Sequence, residues 1–194
     1  MLNLNFNESH FLASSTLIGS MDLPESGVVL LTGDNGVGKS TFCSYLYEKK
    51  LLPQNTIWTE SNQFRSIYPI TVNSILVLFR ENAEEINLDR YQALYSLFKI
   101  SQWSERTWSE LSSGQGQMLK LLMGLCLSAK CYLLDEPAHF LDKDKLNSLS
   151  KIITDLSENS LVIIIDHRID WFQGELNSRY QLSQTEKMIL LERV

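Results

Sequence analysis

Three short runs in this chain, 28-VVLLT-32, 131-CYLL-134 and 161-LVIII-165, are apolar at almost every position. A strand with one wet face alternates apolar and polar residues, because successive side chains point to opposite faces. Runs without that alternation bury both faces, as central strands of a parallel sheet do when helices cover it on either side. Helix-like segments separate them, from Lys39 to about Lys50, Gln117 to Ala129 and Lys145 to Leu156. Alternating strands and helices imply an α/β fold with a mainly parallel sheet core. A short strand is expected at 56-TIWT-59, and the alternation of Leu2, Leu4 and Phe6 marks an N-terminal antiparallel β region. Residues 72–108 depart from the scheme, with Ile75, Leu76, Leu78 and Phe79, then Leu94, Leu97, Phe98 and Ile100, at helical spacing. They predict a small helical subdomain at about 69–115, set into a core of about 1–68 and 116–194, the whole of 1–194 forming one domain.

The 194 residues suffice for a sizeable core, and 44% hydrophobic with 21% charged residues is an ordinary soluble composition. A net charge of −6 argues against a nucleic-acid partner held by a broad basic surface. No apolar run approaches the length of a membrane span, and MLNLNFNESH has no basic region leading into an apolar one, so no signal peptide is expected. Cys43, Cys126 and Cys131 form no CxxC pair and read as reduced, packed residues of a cytosolic protein.

Directly after the first apolar run stands 33-GDNGVGKST-41, which matches G-x-x-x-x-G-K-[ST] at Gly33, Gly38, Lys39 and Ser40. Backbone N–H groups of such a loop converge on phosphates, and the helix that follows adds its positive end. Lys39 is placed to reach the β and γ phosphates and Ser40 to ligate Mg²⁺. Glycine is required where a side chain would block the close approach. The second apolar run ends in Asp135 and Glu136. Carboxylates at the C-terminal end of a buried parallel strand lie where open α/β sheets bind ligands. Asp135 is suited to hold Mg²⁺, and Glu136 to orient or deprotonate an attacking water.

Between these motifs lies 111-LSSGQ-115, opening an apolar helix. With this third piece in order, the chain resembles the ATP-binding cassette (ABC) ATPases, P-loop NTPases with a helical signature subdomain. The loop at 33–41 is similar to their Walker A motif, 111–115 to their signature, 131–136 to Walker B, 140-FLD-142 to the D-loop, and His167 in 163-IIIDH-167 to the switch histidine. The resemblance implies a nucleotide site contacted by Gly33, Asn35, Gly36, Gly38, Lys39, Ser40 and Thr41, with Mg²⁺ held by Ser40, Gln63 and Asp135. It implies that Glu136, His167 and Gln63 serve catalysis, Gln63 being similar to the Q-loop glutamine. Ser112, Gly114, Gln115 and Asp142 would contact nucleotide across a dimer, and Phe11 would stack on adenine, with Phe6 the competing aromatic. His10 and His139 are expected to be solvated loop residues.

The resemblance further implies an ATPase using ATP and Mg²⁺, and dimerising on ATP as a homodimer or pseudo-dimer. It would be a cytoplasmic transporter subunit, held at the inner face of the membrane by a separate transmembrane subunit. A soluble ABC ATPase acting on ribosomes or another assembly is the alternative. Three departures stand out: Ser113 replaces the usual first signature glycine, the following helix lacks its usual arginines, and His167 is preceded by Asp166.

Overall fold

The computed structural model describes residues 1–12, 15–59, 69–185 and 187–194, with the side chains of all of these except residues 10 and 12. Eight strands form one sheet: β1 (Leu2–Leu12), β2 (Ser15–Leu23), β3 (Gly27–Gly33), β4 (Thr56–Thr59), β5 (Cys131–Asp135), β6 (Leu161–Ile165), β7 (Ser178–Gln184) and β8 (Met188–Arg193). Their spatial order is β1-β2-β8-β7-β3-β6-β5-β4. The pairs from β7 through β3, β6 and β5 to β4 are all parallel, while β1–β2 and β7–β8 are antiparallel. The parallel core and the N-terminal antiparallel ribbon are thus as expected. The C-terminal hairpin β7–β8 was not anticipated, because 178-SRYQLSQ-184 carries too few apolar residues to read as a strand by composition.

The described residues also form five helices: α1 (Lys39–Glu48), α2 (Val72–Asn82), α3 (Leu88–Leu97), α4 (Ser113–Leu125) and α5 (Lys143–Ser157). The unbroken apolar runs are explained by burial of both sheet faces. On one face Val28, Leu30, Tyr132, Leu134, Val162 and Ile164 pack with α4 and α5. On the other, Val29, Leu31, Leu133, Ile163 and Ile165 pack with Phe42, Cys43 and Leu46 of α1. Each strand therefore alternates between two dry compartments.

The segment between β4 and α4 holds α2, α3 and two short 3₁₀ turns. Its apolar residues Val72, Leu76, Leu94, Phe98 and Ile100 join the first cluster, so this segment shares a core with the sheet. Helix α4 starts at Ser113 rather than Gln117, because Ser112 supplies an N-cap that periodicity alone does not reveal. The three cysteines are buried as thiols, and burial pushes the Cys131 thiol up to about 12 and Cys126 to about 11. Among the described residues no helix is long and apolar enough to cross a membrane.

Candidate functional site

The register of the central strands levels Leu31 of β3 with Ile165 of β6, and Ile165 with Asp135 of β5. Residues that follow these three positions therefore emerge side by side at the C-terminal edge of the sheet. The glycine loop begins two residues after Leu31, Glu136 follows Asp135, and Asp166–His167 follow Ile165. Two hydrogen bonds tie the exits together: the Glu136 amide donates to the Ile165 carbonyl at 2.8 Å, and the Asp166 amide to the Leu31 carbonyl at 3.2 Å. Pieces far apart in sequence become one cluster through strand register.

In the loop, Gly33 has φ 153° and a Cβ there would lie 2.6 Å from the Leu182 carbonyl oxygen of β7. Only glycine permits that approach. Gly38 at φ 99° turns the chain into α1 and caps it without a side-chain hydrogen bond, leaving the first helical amides available to an anion. Gly36 has φ 82°, and Asn35 is exposed beside it. Lys39 is 6% exposed. Its Nζ donates to the Gly33 and Asp34 carbonyls at 2.9 and 3.0 Å, folding the ammonium back over its own loop. Ser40 and Thr41 follow in the first turn, both half-buried.

Asp135 is wholly buried at the end of β5. The hydroxyl of Ser40 and the carboxylate of Asp135 are hard oxygen donors, a set that fits Mg²⁺, which keeps most of its shell as water and substrate phosphate. Glu136 has φ 48°, a left-handed conformation that is costly for a residue with a side chain. Its carbonyl accepts from the His139 amide at 3.1 Å, closing a turn. That turn brings His139 Nδ1 to 3.6 Å from Glu136 Oε2, while the imidazole stacks on Phe140 at 3.8 Å. His139 is half-exposed, as a loop residue should be, yet it is a direct neighbour of Glu136, which its sequence position did not suggest.

Ser112 and Gln115 form a reciprocal cap on α4: the Gln115 amide donates to Ser112 Oγ at 3.2 Å, and the Ser112 amide to Gln115 Oε1 at 3.0 Å. Gly114 is buried against Phe140, whose Cβ lies 3.0 Å from where a Gly114 Cβ would be. The signature turn and the 140–142 segment therefore touch within one chain. Asp142 caps α5, accepting from the Lys145 amide at 3.0 Å and pairing with Lys145 Nζ. These contacts with Lys145 hold its carboxyl below the usual range. Phe11 is half-buried with its ring 5.5 Å from Tyr45 and 6.3 Å from Phe42, whereas Phe6 is only 4% exposed. Gln63 lies outside the described residues, as does the side chain of His10.

A parallel α/β sheet with a glycine loop, a buried lysine and acids at the neighbouring strand ends defines a P-loop nucleotide-binding domain. The sequence profile of the ABC transporter family matches residues 19–139, and the chain belongs to that family, an ABC ATPase domain. The tungstate uptake system ATP-binding protein TupC of Campylobacter jejuni is 31% identical over 160 residues, covering 73% of this chain and 48% of the relative. ABC transporter E family member 3 of Arabidopsis thaliana is 30% identical over 145 residues, covering 68% of this chain and 79% of the relative. The chain thus spans about half the length of the first and about four fifths of the second. Among solved structures, an RNase-L inhibitor superposes with a TM-score of 0.77 at 20% identity, covering 98% of this chain and 39% of that one. The ADP conformation of an ATP-binding cassette of an ABC transporter superposes with a TM-score of 0.61 at 18% identity, covering 99% and 90%. Members of the family are ATPases.

Proposed function

We propose that this chain binds and hydrolyses ATP as the nucleotide-binding subunit of an ABC transporter, driving a separate membrane subunit through closure and reopening of a dimer. The observation that carries the reading is the register of β3, β5 and β6, which sets the chain exits that lead to Glu136 and His167 at the same sheet edge as Asp135 and the glycine loop that Lys39 folds over. The amides of that loop and of the first turn of α1 bind the triphosphate, and Lys39 exchanges its two carbonyls for the β and γ phosphates. Ser40 and Asp135, with Gln63, would hold Mg²⁺, which supplies positive charge against the phosphates. Glu136 takes the proton of the attacking water, and His167 contacts the γ-phosphate. Phe11, more open than Phe6, serves as the adenine platform. Ser112, Gly114, Gln115 and Asp142 act on the nucleotide of a second copy, the N-terminus of α4 meeting its γ-phosphate. The α2–α3 segment, within about 69–115, is then the small subdomain that carries the signature.

The tungstate uptake relative and a phosphate import ATP-binding protein of Mycoplasma genitalium, 24% identical, support the transporter role, which would put the chain at the cytoplasmic face of a membrane. A second reading, a soluble ATPase of the translation machinery, is supported by a 27% identical translation initiation factor of Schizosaccharomyces pombe. Affinity capture of the Glu136→Gln chain with MgATP separates the two. An integral membrane protein in the eluate supports the transporter, and ribosomal subunits instead would replace it with the translation reading.

A further inference from the structure

The acid that precedes His167 is not a feature the phosphate site requires, yet it is buried at the sheet edge beside the histidine. Asp166 is 2% exposed. Its Oδ1 accepts from the Arg168 amide at 3.0 Å and lies 3.3 Å from His167 Nδ1. Its own amide is anchored on Leu31, two residues before the glycine loop begins. Its other oxygen, Oδ2, is buried and accepts no hydrogen bond from any described side chain or backbone group. A carboxylate 3.3 Å from an imidazole nitrogen favours a proton on that nitrogen, since its negative charge attracts an N–H and repels a lone pair. The opposite nitrogen, Nε2, is then the one left for chemistry, on a ring that is 38% exposed at the sheet edge.

We propose that Asp166 is a positioning residue for His167, fixing its tautomer with Nδ1 protonated and its ring with Nε2 toward the γ-phosphate. When Nε2 takes a proton from solvent and donates it to a phosphate oxygen, the buried carboxylate compensates the charge of the ring. Because the Asp166 amide hangs on Leu31, the histidine keeps register with the strand that carries the glycine loop. A carboxylate behind a functional histidine sets its tautomer in metal and hydrolase sites by the same physics. The kinetic part of this inference rests on the hydrolysis reading above; the tautomer part does not.

The test has two arms. Long-range ¹H–¹⁵N spectra of the chain, which has three histidines, are assigned with His10→Gln and His139→Gln variants. His167 should show a protonated Nδ1, and in Asp166→Asn it should shift to the Nε2-protonated form favoured by free imidazole. An unprotonated Nδ1 in the native chain overturns the proposal. In the second arm, Asp166→Asn should lower kcat about tenfold or more, with KM for MgATP changed less than about twofold. The same substitution on a His167→Ala background should cost nothing further, because its effect passes through the imidazole. An equal loss on that background assigns Asp166 a merely structural role and ends the proposal. A native chain without ATPase activity defeats the hydrolysis reading instead, and the spectra still decide the tautomer.

Discussion

Lys39 illustrates how one residue is legible in sequence and yet has a state that only the fold reveals. The motif assigns it to phosphate, and the structure places its ammonium on the Gly33 and Asp34 carbonyls. A buried cation so held is already desolvated and partnered, so a nucleotide need only offer better acceptors. Lys39→Ala should weaken MgATP binding by about ten- to a hundredfold, the scale of charge-assisted hydrogen bonds at ~1.5–3 kcal/mol. Isothermal calorimetry reads it directly, and unchanged affinity would remove the loop from the site. Glu136→Gln should leave affinity intact and slow hydrolysis about a hundredfold or more, the scale of general-base loss. Native turnover in that variant would move the base elsewhere. The strained φ of Glu136 belongs to backbone that glutamine shares, so the substitution isolates the charge.

Two elements near the site owe their placement to contacts that no periodicity announces. Helix α4 passes so close to β4 that a Cβ on Gly124 would lie 2.6 Å from Thr59 Cγ2 and 3.3 Å from Ile57 Cγ2. Helix propensity favours alanine there by about 1 kcal/mol, but overpacking costs about 1–3 kcal/mol. Gly124→Ala should therefore lower the midpoint of denaturant unfolding; a raised midpoint would mean β4 yields freely. Helix α5 depends on Asp142 for its cap. Asp142→Ala should cost about 1 kcal/mol at neutral pH, while Asp142→Asn, which can still cap, should cost less. The Asp142 carboxylate is largely exposed and solvent screens its pair with Lys145, so the backbone cap dominates. Since Asp142 has a lowered carboxyl pKa in the folded chain, its charge stabilises above the ordinary range near about 4 and ceases to as pH falls through the folded value. The difference between native chain and Asp142→Asn should vanish in acid melts, and a gap that widened there would contradict the assignment.

For the whole molecule, the signature residues are the decisive feature. Ser112 is exposed at the start of α4 with its hydroxyl capping its own helix, so the positive helix end faces outward. In the proposed mechanism it completes the site of a second copy. The Glu136→Gln chain should then sediment as a dimer with MgATP and as a monomer without it, because removing a carboxylate opposite the γ-phosphate favours closure. Ser112→Arg should abolish that dimer while leaving nucleotide affinity unchanged. A Ser112→Arg chain that still dimerises on ATP would refute the shared site.

Sequence alone carried the parallel core, because runs such as 161-LVIII-165 have nowhere to go but between two helical layers. It carried the glycine loop and the Asp135–Glu136 pair as well, since both depend on neighbours along the chain. It did not carry the β7–β8 hairpin, whose polar β7 becomes a strand by pairing alongside β3. Nor did it reveal the His139 contact with Glu136 or the burial of Asp166 beside His167. Those follow from a left-handed turn at Glu136 and from an amide anchored on Leu31, and tertiary geometry decides both. Local pattern fixes which residues can reach a site; strand register and packing fix which of them meet, because contact free energy is gained only once distant segments are held together.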